Sequence, residues 1–221
     1  MIEYSENKEI IAKRIVRFFK TGDVVNLGIG LPTLVGNFVS PNITVIFQSE
    51  NGFVGLGPAP LPGQEDKDLT NAGGMPVTIL PGGAFFDSAT SFGIIRGGHV
   101  DYTVLGVLEV DQEGNLANYK IPGKMVPGMG GAMDLVAGSR VVIAATTHFE
   151  KSGRSKLKRC CTLPLTAAGE VDFVVTDVGF FQIRGGKFHL MEYFSPYTPK
   201  WIIEKTDADI LISPDICCFE G

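Results

Sequence analysis

The sequence predicts an α/β fold: a single open, mostly parallel sheet with helices on both faces and an antiparallel hairpin late in the chain. Three observations carry this expectation. Short runs of β-branched and apolar residues recur along 221 residues, as in VVNL, ITVIF and VVIAA. Segments of helical period alternate with the earlier runs, the rhythm of parallel strands joined by crossovers. Near the C-terminus two apolar runs flank Arg184-Gly185-Gly186-Lys187, a two-glycine turn.

The first element is a helix. Ile10, Ile11, Ile15, Phe18 and Phe19 recur near helical period, and Lys8, Lys13, Arg14, Arg17 and Lys20 fall mostly elsewhere. Ser5 is its expected N-cap and Gly22 the residue beyond its end. DVVNLG (23–28) reads as a strand, followed by Gly28-Ile29-Gly30-Leu31-Pro32. Pro32 suits the first turn of a second helix, with Leu34, Val35 and Phe38 behind it. ITVIF (43–47) is the next strand and delivers Glu50 into a turn, ahead of the glycine-rich apolar loop GFVGLGPAPLPG. Residues 77–80 read as a buried strand, 87–95 as a helix capped by Asp87 or Ser88, and 102–108, 141–145 and 171–176 as further strands. The hairpin covers 180–194, and Thr198 caps a last helix with Pro199 at its first position. No linker rich in Pro, Ser or charge cuts the chain, so residues 1–221 are expected to form one domain.

Composition narrows the function classes. A hydrophobic fraction of 44% with 19% charged residues excludes a disordered chain. A net charge of -5 leaves no footprint for nucleic acid. No apolar run reaches the roughly 18 residues of a membrane span, and MIEYSENKEIIAKR has no apolar signal core, so a cytoplasmic protein is expected. The four cysteines form two adjacent pairs, Cys160-Cys161 and Cys217-Cys218, which do not give the CxxC spacing of zinc sites. They read as reduced thiols.

Open α/β sheets bind ligands beyond the carboxyl ends of their strands. Gly28-Ile29-Gly30, Gly55-Leu56-Gly57 and Gly128-Met129-Gly130-Gly131 are expected to reach that edge, with Glu50 among them. Glycine lets the backbone approach a ligand and offer N–H groups to an anion. None of the three spells a dinucleotide fingerprint or a Walker A loop. A lone glutamate after a strand is often a surface residue or a cap. One set between an apolar strand and an apolar Gly-Pro loop, with no basic residue near it in sequence, can instead act as nucleophile or base. His99, His148 and His189 are scattered and form no metal set. The basic stretch Lys151, Arg154, Lys156, Lys158, Arg159 reads as a solvated loop, or as a contact for a phosphate-bearing ligand or an acidic partner.

QSENGFVGLGP (48–58), LPGGAFFDSATSFGIIRGGHVD (80–101), IPGKMVPGMGGAMDLV (121–136) and CTLPLT (161–166) together resemble the β subunit of the family I CoA-transferases, the 3-oxoacid CoA-transferase group. The resemblance runs from about residue 10 to 210, and its wording is nearest to the butyrate/acetate–acetoacetate enzymes of fermenting anaerobes. It implies that Glu50 of the SENG motif is the catalytic nucleophile, carrying CoA as a glutamyl thioester in a ping-pong reaction. It places CoA and oxyanion contacts on Gly28, Ile29, Gly30 and Leu31 and on Gly128 and Gly131, with Gly131 the main backbone donor. Ser49 and Asn51 would hold the turn. The resemblance implies no metal and no permanently bound cofactor, since coenzyme A enters as a thioester substrate. It also implies a partner, the α subunit, in an α₂β₂ heterotetramer. Tyr119, Lys120 and Phe149 depart from the family's wording. Two alternatives stand beside this reading: a sugar-phosphate isomerase or deaminase on a related fold, for which GIGLPT supplies Thr33 but no adjacent cation, and a non-catalytic homologue, which would be expected to have lost Glu50.

Overall fold

A computed structural model describes residues 2–123 and 130–220. Its centre is five mutually parallel strands: β1 (Val24–Leu27), β2 (Ile46–Ser49), β5 (Tyr102–Gly106), β8 (Val141–Ala145) and β10 (Phe173–Val175). From β1 the chain moves outward through β2 to β3 (Phe53–Leu56) and β4 (Ile79–Phe85), which pair antiparallel. It then returns to β5 on the other side of β1 and continues through β8 and β10. The expected hairpin follows as β11 (Gly179–Ile183) and β12 (Phe188–Phe194), and β13 (Ile210–Phe219) closes that side in parallel with β12. Ten strands form one sheet, in the order β13-β12-β11-β10-β8-β5-β1-β2-β3-β4. A small second sheet pairs β6 (Glu109–Asp111) with β7 (Leu116–Ala117) and β9 (Leu157–Lys158).

Both faces of the central strands are covered, and the alternation along each strand shows how. Val142 and Ala144 of β8 join one buried cluster with Ile95 of α2 (Ser88–Arg96), Leu135 of α3 (Ala132–Gly138) and Ile202 of α4 (Pro199–Lys205). Ile143 and Ala145 join the other, with Ile11, Ala12 and Ile15 of α1 (Ile2–Ile15) and with Val35. On that second face Arg14 is almost fully buried. Its Nε donates to Glu192 at 2.6 Å and its guanidinium lies 4.0 Å from the centre of the Phe180 ring. The paired charge, covered by an aromatic face, fixes α1 against the hairpin.

Several element boundaries differ from expectation. α1 begins at Ile2, ahead of Ser5, and ends in a 3₁₀ turn over Val16–Phe18, so Gly22 leads into β1 instead of ending the helix. The segment Pro32–Phe38 is 3₁₀ rather than α. Asp87 is the cap of α2, accepting from Thr90 N at 2.7 Å, and Thr198 caps α4. β2 starts three residues later than ITVIF and runs through Gln48 and Ser49. The glycine-rich loop after Glu50 is in part the strand β3, so Gly55-Leu56-Gly57 runs back from the carboxyl edge instead of reaching it. β4 continues through Pro81-Gly82-Gly83, and β13 carries Pro214. Both are edge strands, and in both the pairing slips beside the proline. A bulge at a sheet edge absorbs a residue that cannot donate to a ladder.

Candidate active site

The parallel strands end on one side, and there the chain places Glu50, directly after β2, and Gly28-Ile29-Gly30, directly after β1. Because the chain leaves β1 toward β2 and comes back on the β5 side, this is the point where strand order reverses, the usual crevice of an open α/β sheet. A cavity of ≈ 780 Å³ opens beside it, and Glu50, Ile29 and Gly30 share its wall with Leu27, Phe47 and Met75.

The turn that carries Glu50 is closed by Gly52 N donating to Ser49 O at 3.1 Å. Gly52 has φ +126, and its carbonyl accepts from Phe86 N at 2.9 Å. Ser49 and Asn51 tie the turn to the neighbouring loop: Ser49 Oγ accepts from Ala72 N at 3.1 Å, and Asn51 Nδ2 donates to Thr70 O at 2.8 Å. The carboxylate is partly exposed and meets an uncharged donor, Asn26 Nδ2, at 3.3 Å from Oε2. Asn26 sits fully buried in β1, in register with Gln48 of β2. Asn26, Gln48 and Ser91 were not singled out from the sequence. Their signal was a polar residue within the apolar run of β1, one just past the end of ITVIF and one inside α2, which becomes legible only when strand register and the packing of α2 bring the three together.

The remaining expected site residues separate. Gly131 lies against Glu50: a Cβ there would be 3.3 Å from Glu50 Cγ and 3.5 Å from the Phe92 ring. Its φ of -82 is open to any residue, so nothing in the backbone conformation at 131 calls for glycine. Gly128 and Met129 lie outside the described residues. Gly28 N donates to Val104 O at 2.8 Å, so that N–H belongs to the sheet and is not free for a ligand. Gly30, at φ +87, turns the chain at the cavity wall, and Ile29 is well exposed there. Leu31 stands behind the wall, its carbonyl accepting from Leu34 N at 3.1 Å. Thr33 Oγ1 donates to Gly28 O at 3.0 Å and closes the loop on itself.

Outside this cleft the candidate groups are structural. Three cations of the basic stretch face the chain's own carboxylates: Arg154 pairs with Glu150, Lys158 with Asp207 and Arg159 with Asp209, while Lys156 Nζ donates to Thr146 Oγ1 and Thr147 Oγ1. The CTLPLT segment is held by two buried carboxylates. Glu109 accepts from Thr162 N, Thr162 Oγ1 and Leu163 N, and Asp111 accepts from Cys161 N. Burial, with Asp111 and Glu109 alongside, pushes the Cys161 thiol up, which keeps it protonated and unreactive at neutral pH. Among the described residues no group of three or more His, Cys, Asp or Glu is placed to hold a metal ion. No helix among them is long and apolar enough to cross a membrane.

His148 is fully buried between Thr176 Oγ1 (3.1 Å from Nδ1) and Thr206 Oγ1 (2.8 Å from Nε2). Phe149 packs edge-on against its ring and against Trp201, which gives this departure from the family wording a packing role. Burial, helped by the Lys156 ammonium, lowers the His148 pKa from 6.5 to about 3. The unfolded chain therefore takes up a proton that the folded chain refuses. This contribution to stability is complete above pH 6.5 and is lost as pH falls toward about 3. Nearby Asp177, whose carboxyl burial raises, works in the opposite sense, but only from its unfolded value of 3.8 upward to its folded one. Between pH 8 and pH 5 the wild-type chain is expected to lose about 2 kcal/mol through His148. In urea titrations at the two pH values, His148→Gln should remove that loss; an unchanged pH dependence would refute the assignment.

The profile of the coenzyme A transferase family matches residues 8–203. The chain belongs to that family. The acetate CoA-transferase β subunit of Escherichia coli (strain K12) is 51% identical over 209 residues, covering 95% of both chains. A probable succinyl-CoA:3-ketoacid coenzyme A transferase subunit of Bacillus subtilis (strain 168) is 47% identical over 211 residues, covering 96% of this chain and 98% of that one. Among solved structures, the acyl-CoA transferase YdiF apoenzyme of Escherichia coli O157:H7 superposes with a TM-score of 0.75 at 23% identity, which speaks to the fold alone. This CoA-transferase family chain covers 43% of that protein's length, against nearly the whole of the two subunits.

Proposed function

We propose that this chain is the Glu50-bearing subunit of an enzyme that moves CoA between an acyl-CoA and a short-chain carboxylic acid, with acetoacetate and butyrate or acetate as the favoured acids. The observation that carries the reading is the setting of Glu50. It stands at the carboxyl end of a central strand, on the wall of a largely apolar cavity, and meets a neutral amide donor. An amide hydrogen bond orients the carboxylate without the charge pairing that would blunt its attack.

The cycle that this setting supports has four displacements. A Glu50 carboxylate oxygen attacks the thioester carbonyl, and the C–S bond breaks to release CoA thiolate and leave an acyl-glutamyl anhydride. The thiolate then attacks the glutamyl carbonyl and expels the acyl group as its carboxylate, giving a glutamyl-CoA thioester. The acceptor carboxylate attacks that thioester, forming a new anhydride and releasing thiolate again. Attack of the thiolate on the new acyl carbonyl yields the product acyl-CoA and regenerates Glu50. The order is ping-pong, and no metal or redox cofactor enters the balance. Each displacement develops an oxyanion, for which the N–H groups of Gly131 and Gly30 are the proposed donors. In this reading Ile29 belongs to the CoA-side wall, and Leu31 and Gly28 support it from behind.

The reading includes a partner. Relatives of the same length are named as subunits, and the YdiF chain is more than twice as long. We place a second, α-type subunit across the cleft in an α₂β₂ assembly, and the enzyme in the cytoplasm, in keeping with four free thiols. The test is chemical. The complex co-expressed with its partner is incubated with acetoacetyl-CoA or butyryl-CoA, treated with hydroxylamine or borohydride, and digested for mass spectrometry. Modification is expected on the peptide holding Glu50 and nowhere else. An adduct on another residue, or none under turnover conditions, would overturn the proposal.

A further inference from the structure

Three uncharged side chains from three elements form one hydrogen-bonded path beneath Glu50. Ser91 of α2, fully buried, donates its Oγ–H to Glu50 O at 2.9 Å. The same Oγ accepts from Gln48 Nε2 at 3.1 Å. Gln48 Oε1 accepts from Asn26 Nδ2 at 2.7 Å. Asn26 Nδ2 lies 3.3 Å both from Gln48 O and from Glu50 Oε2. The path thus leaves Glu50 at its backbone carbonyl and returns to it at its carboxylate.

The direction of every bond in the path is dictated. A backbone carbonyl and an ionised carboxylate can only accept. Ser91 has one proton, and Glu50 O takes it, so Ser91 must present a lone pair to Gln48. Gln48 must then turn its NH₂ to Ser91 and its oxygen to Asn26. Asn26 faces three acceptors and must present its NH₂ to all of them, which strands its own oxygen: Asn26 Oδ1 is buried with no partner among the described residues. A buried unpartnered acceptor is costly; among the described residues Thr103 Oγ1 and Ser139 Oγ are also buried without a partner, but Asn26 Oδ1 is the one on the side chain that meets the Glu50 carboxylate.

We propose that Ser91 and Gln48 are positioning residues for Glu50: they lock its backbone carbonyl to α2 and fix the Asn26 amide with its N–H toward the carboxylate. The inference rests on the reading of Glu50 as the covalent carrier. Neither residue needs to touch substrate. Their effect is on the placement of the carboxylate, where an error of about 1 Å costs roughly a hundredfold in rate.

The experiment is the single-turnover rate of Glu50 thioester formation at saturating acyl-CoA in the co-expressed complex, normalised to folded sites. Ser91→Ala should slow the rate constant tenfold to a hundredfold, roughly, while KM stays within about twofold of wild type. Gln48→Met breaks the same path from a different element and should do likewise, so a folding failure of one variant leaves the other to decide. A double-mutant cycle supplies the readout that a merely structural role would not move. Ser91 and Asn26 connect through Gln48 and again through Glu50 itself, so Ser91→Ala combined with Asn26→Ala should be slowed by clearly less than the product of the two single effects. Independent, multiplying effects would overturn the path, as would a wild-type rate in Ser91→Ala or Gln48→Met. Glu50→Gln is run in parallel. If it forms the adduct normally, the Glu50 reading itself has failed; if it is inert while Ser91→Ala is normal, only the positioning inference falls.

Discussion

Replacing Glu50 by alanine or glutamine is expected to remove CoA transfer almost entirely, by a factor on the order of 10⁴–10⁶ in kcat, as for loss of a covalent nucleophile. Glutamine is the sharper variant. It keeps the length of the side chain and an oxygen to accept from Asn26 Nδ2, so the turn and the thermal midpoint should stay close to wild type. What it lacks is an ionised oxygen that can open the thioester. Glu50→Asp tests geometry. The carboxylate retracts by about 1 Å or more, away from the Asn26 amide and the cavity wall, and a loss of roughly a hundredfold is expected. Steady-state assays of the subunit complex, with circular dichroism as the folding control, check all three. A Glu50→Gln complex that transfers CoA at more than a few per cent of the wild-type rate would remove the basis for assigning the nucleophile.

The order alanine ≈ glutamine, then aspartate, follows from which property each keeps, and it bears on how the site could be read from sequence. SENG marked Glu50 and its turn, because an isolated carboxylate between apolar segments is conspicuous. The alternation of apolar runs marked the central strands β1, β5, β8 and β10, whose buried residues are mostly apolar on both faces, with Asn26 in β1 and Thr103 in β5 the polar exceptions. It misplaced β2, because the end of that strand is polar. Gln48 falls beyond the expected strand and Ser49 is expected to hold the turn, yet both are buried strand residues, and Gln48 is spent on the path to Asn26 and Ser91. Periodicity rests on burial of apolar groups, so it fails where a strand buries polar groups on purpose.

The sheet edges were illegible for a related reason. Pro81-Gly82-Gly83 and Pro214 argue against strands in a central position, and only the topology shows that β4 and β13 are edges where a bulge tolerates them. Charge pairing was illegible as well. The basic stretch from Lys151 to Arg159 reads in one dimension as a solvated loop, or as a contact for a phosphate-bearing ligand or an acidic partner. Its acidic partners Asp207 and Asp209 lie about fifty residues further on, and the backbone bridge of Lys158 with Asp207 sets the two segments side by side so that both ion pairs form.

The glycine that follows the SEN triplet is expected to be the most sensitive structural position of the site. Gly52 has φ +126, where side chains are rarely accommodated, and a Cβ built on it would stand 2.4 Å from Phe86 O. That oxygen is backbone, at the end of β4, and cannot rotate aside. Relief would require β4 to move off β3, which breaks the bond from Phe86 N to Gly52 O, or the turn to open, which breaks the bond from Gly52 N to Ser49 O. Gly52→Ala should therefore cost about 3 kcal/mol, combining roughly 1–2 for the backbone conformation with roughly 1–3 for the overpacked contact. Gly63 separates the two terms. It too has positive φ, +82, but a Cβ there meets nothing within 4 Å, so Gly63→Ala should cost only about 1 kcal/mol. Urea midpoints of the two variants measure the difference. Equal losses would mean that conformation alone calls for glycine at 52. The larger loss at 52, accompanied by slow thioester formation in the molecules that remain folded, would show that the turn has one tight solution and that the position of Glu50 depends on it.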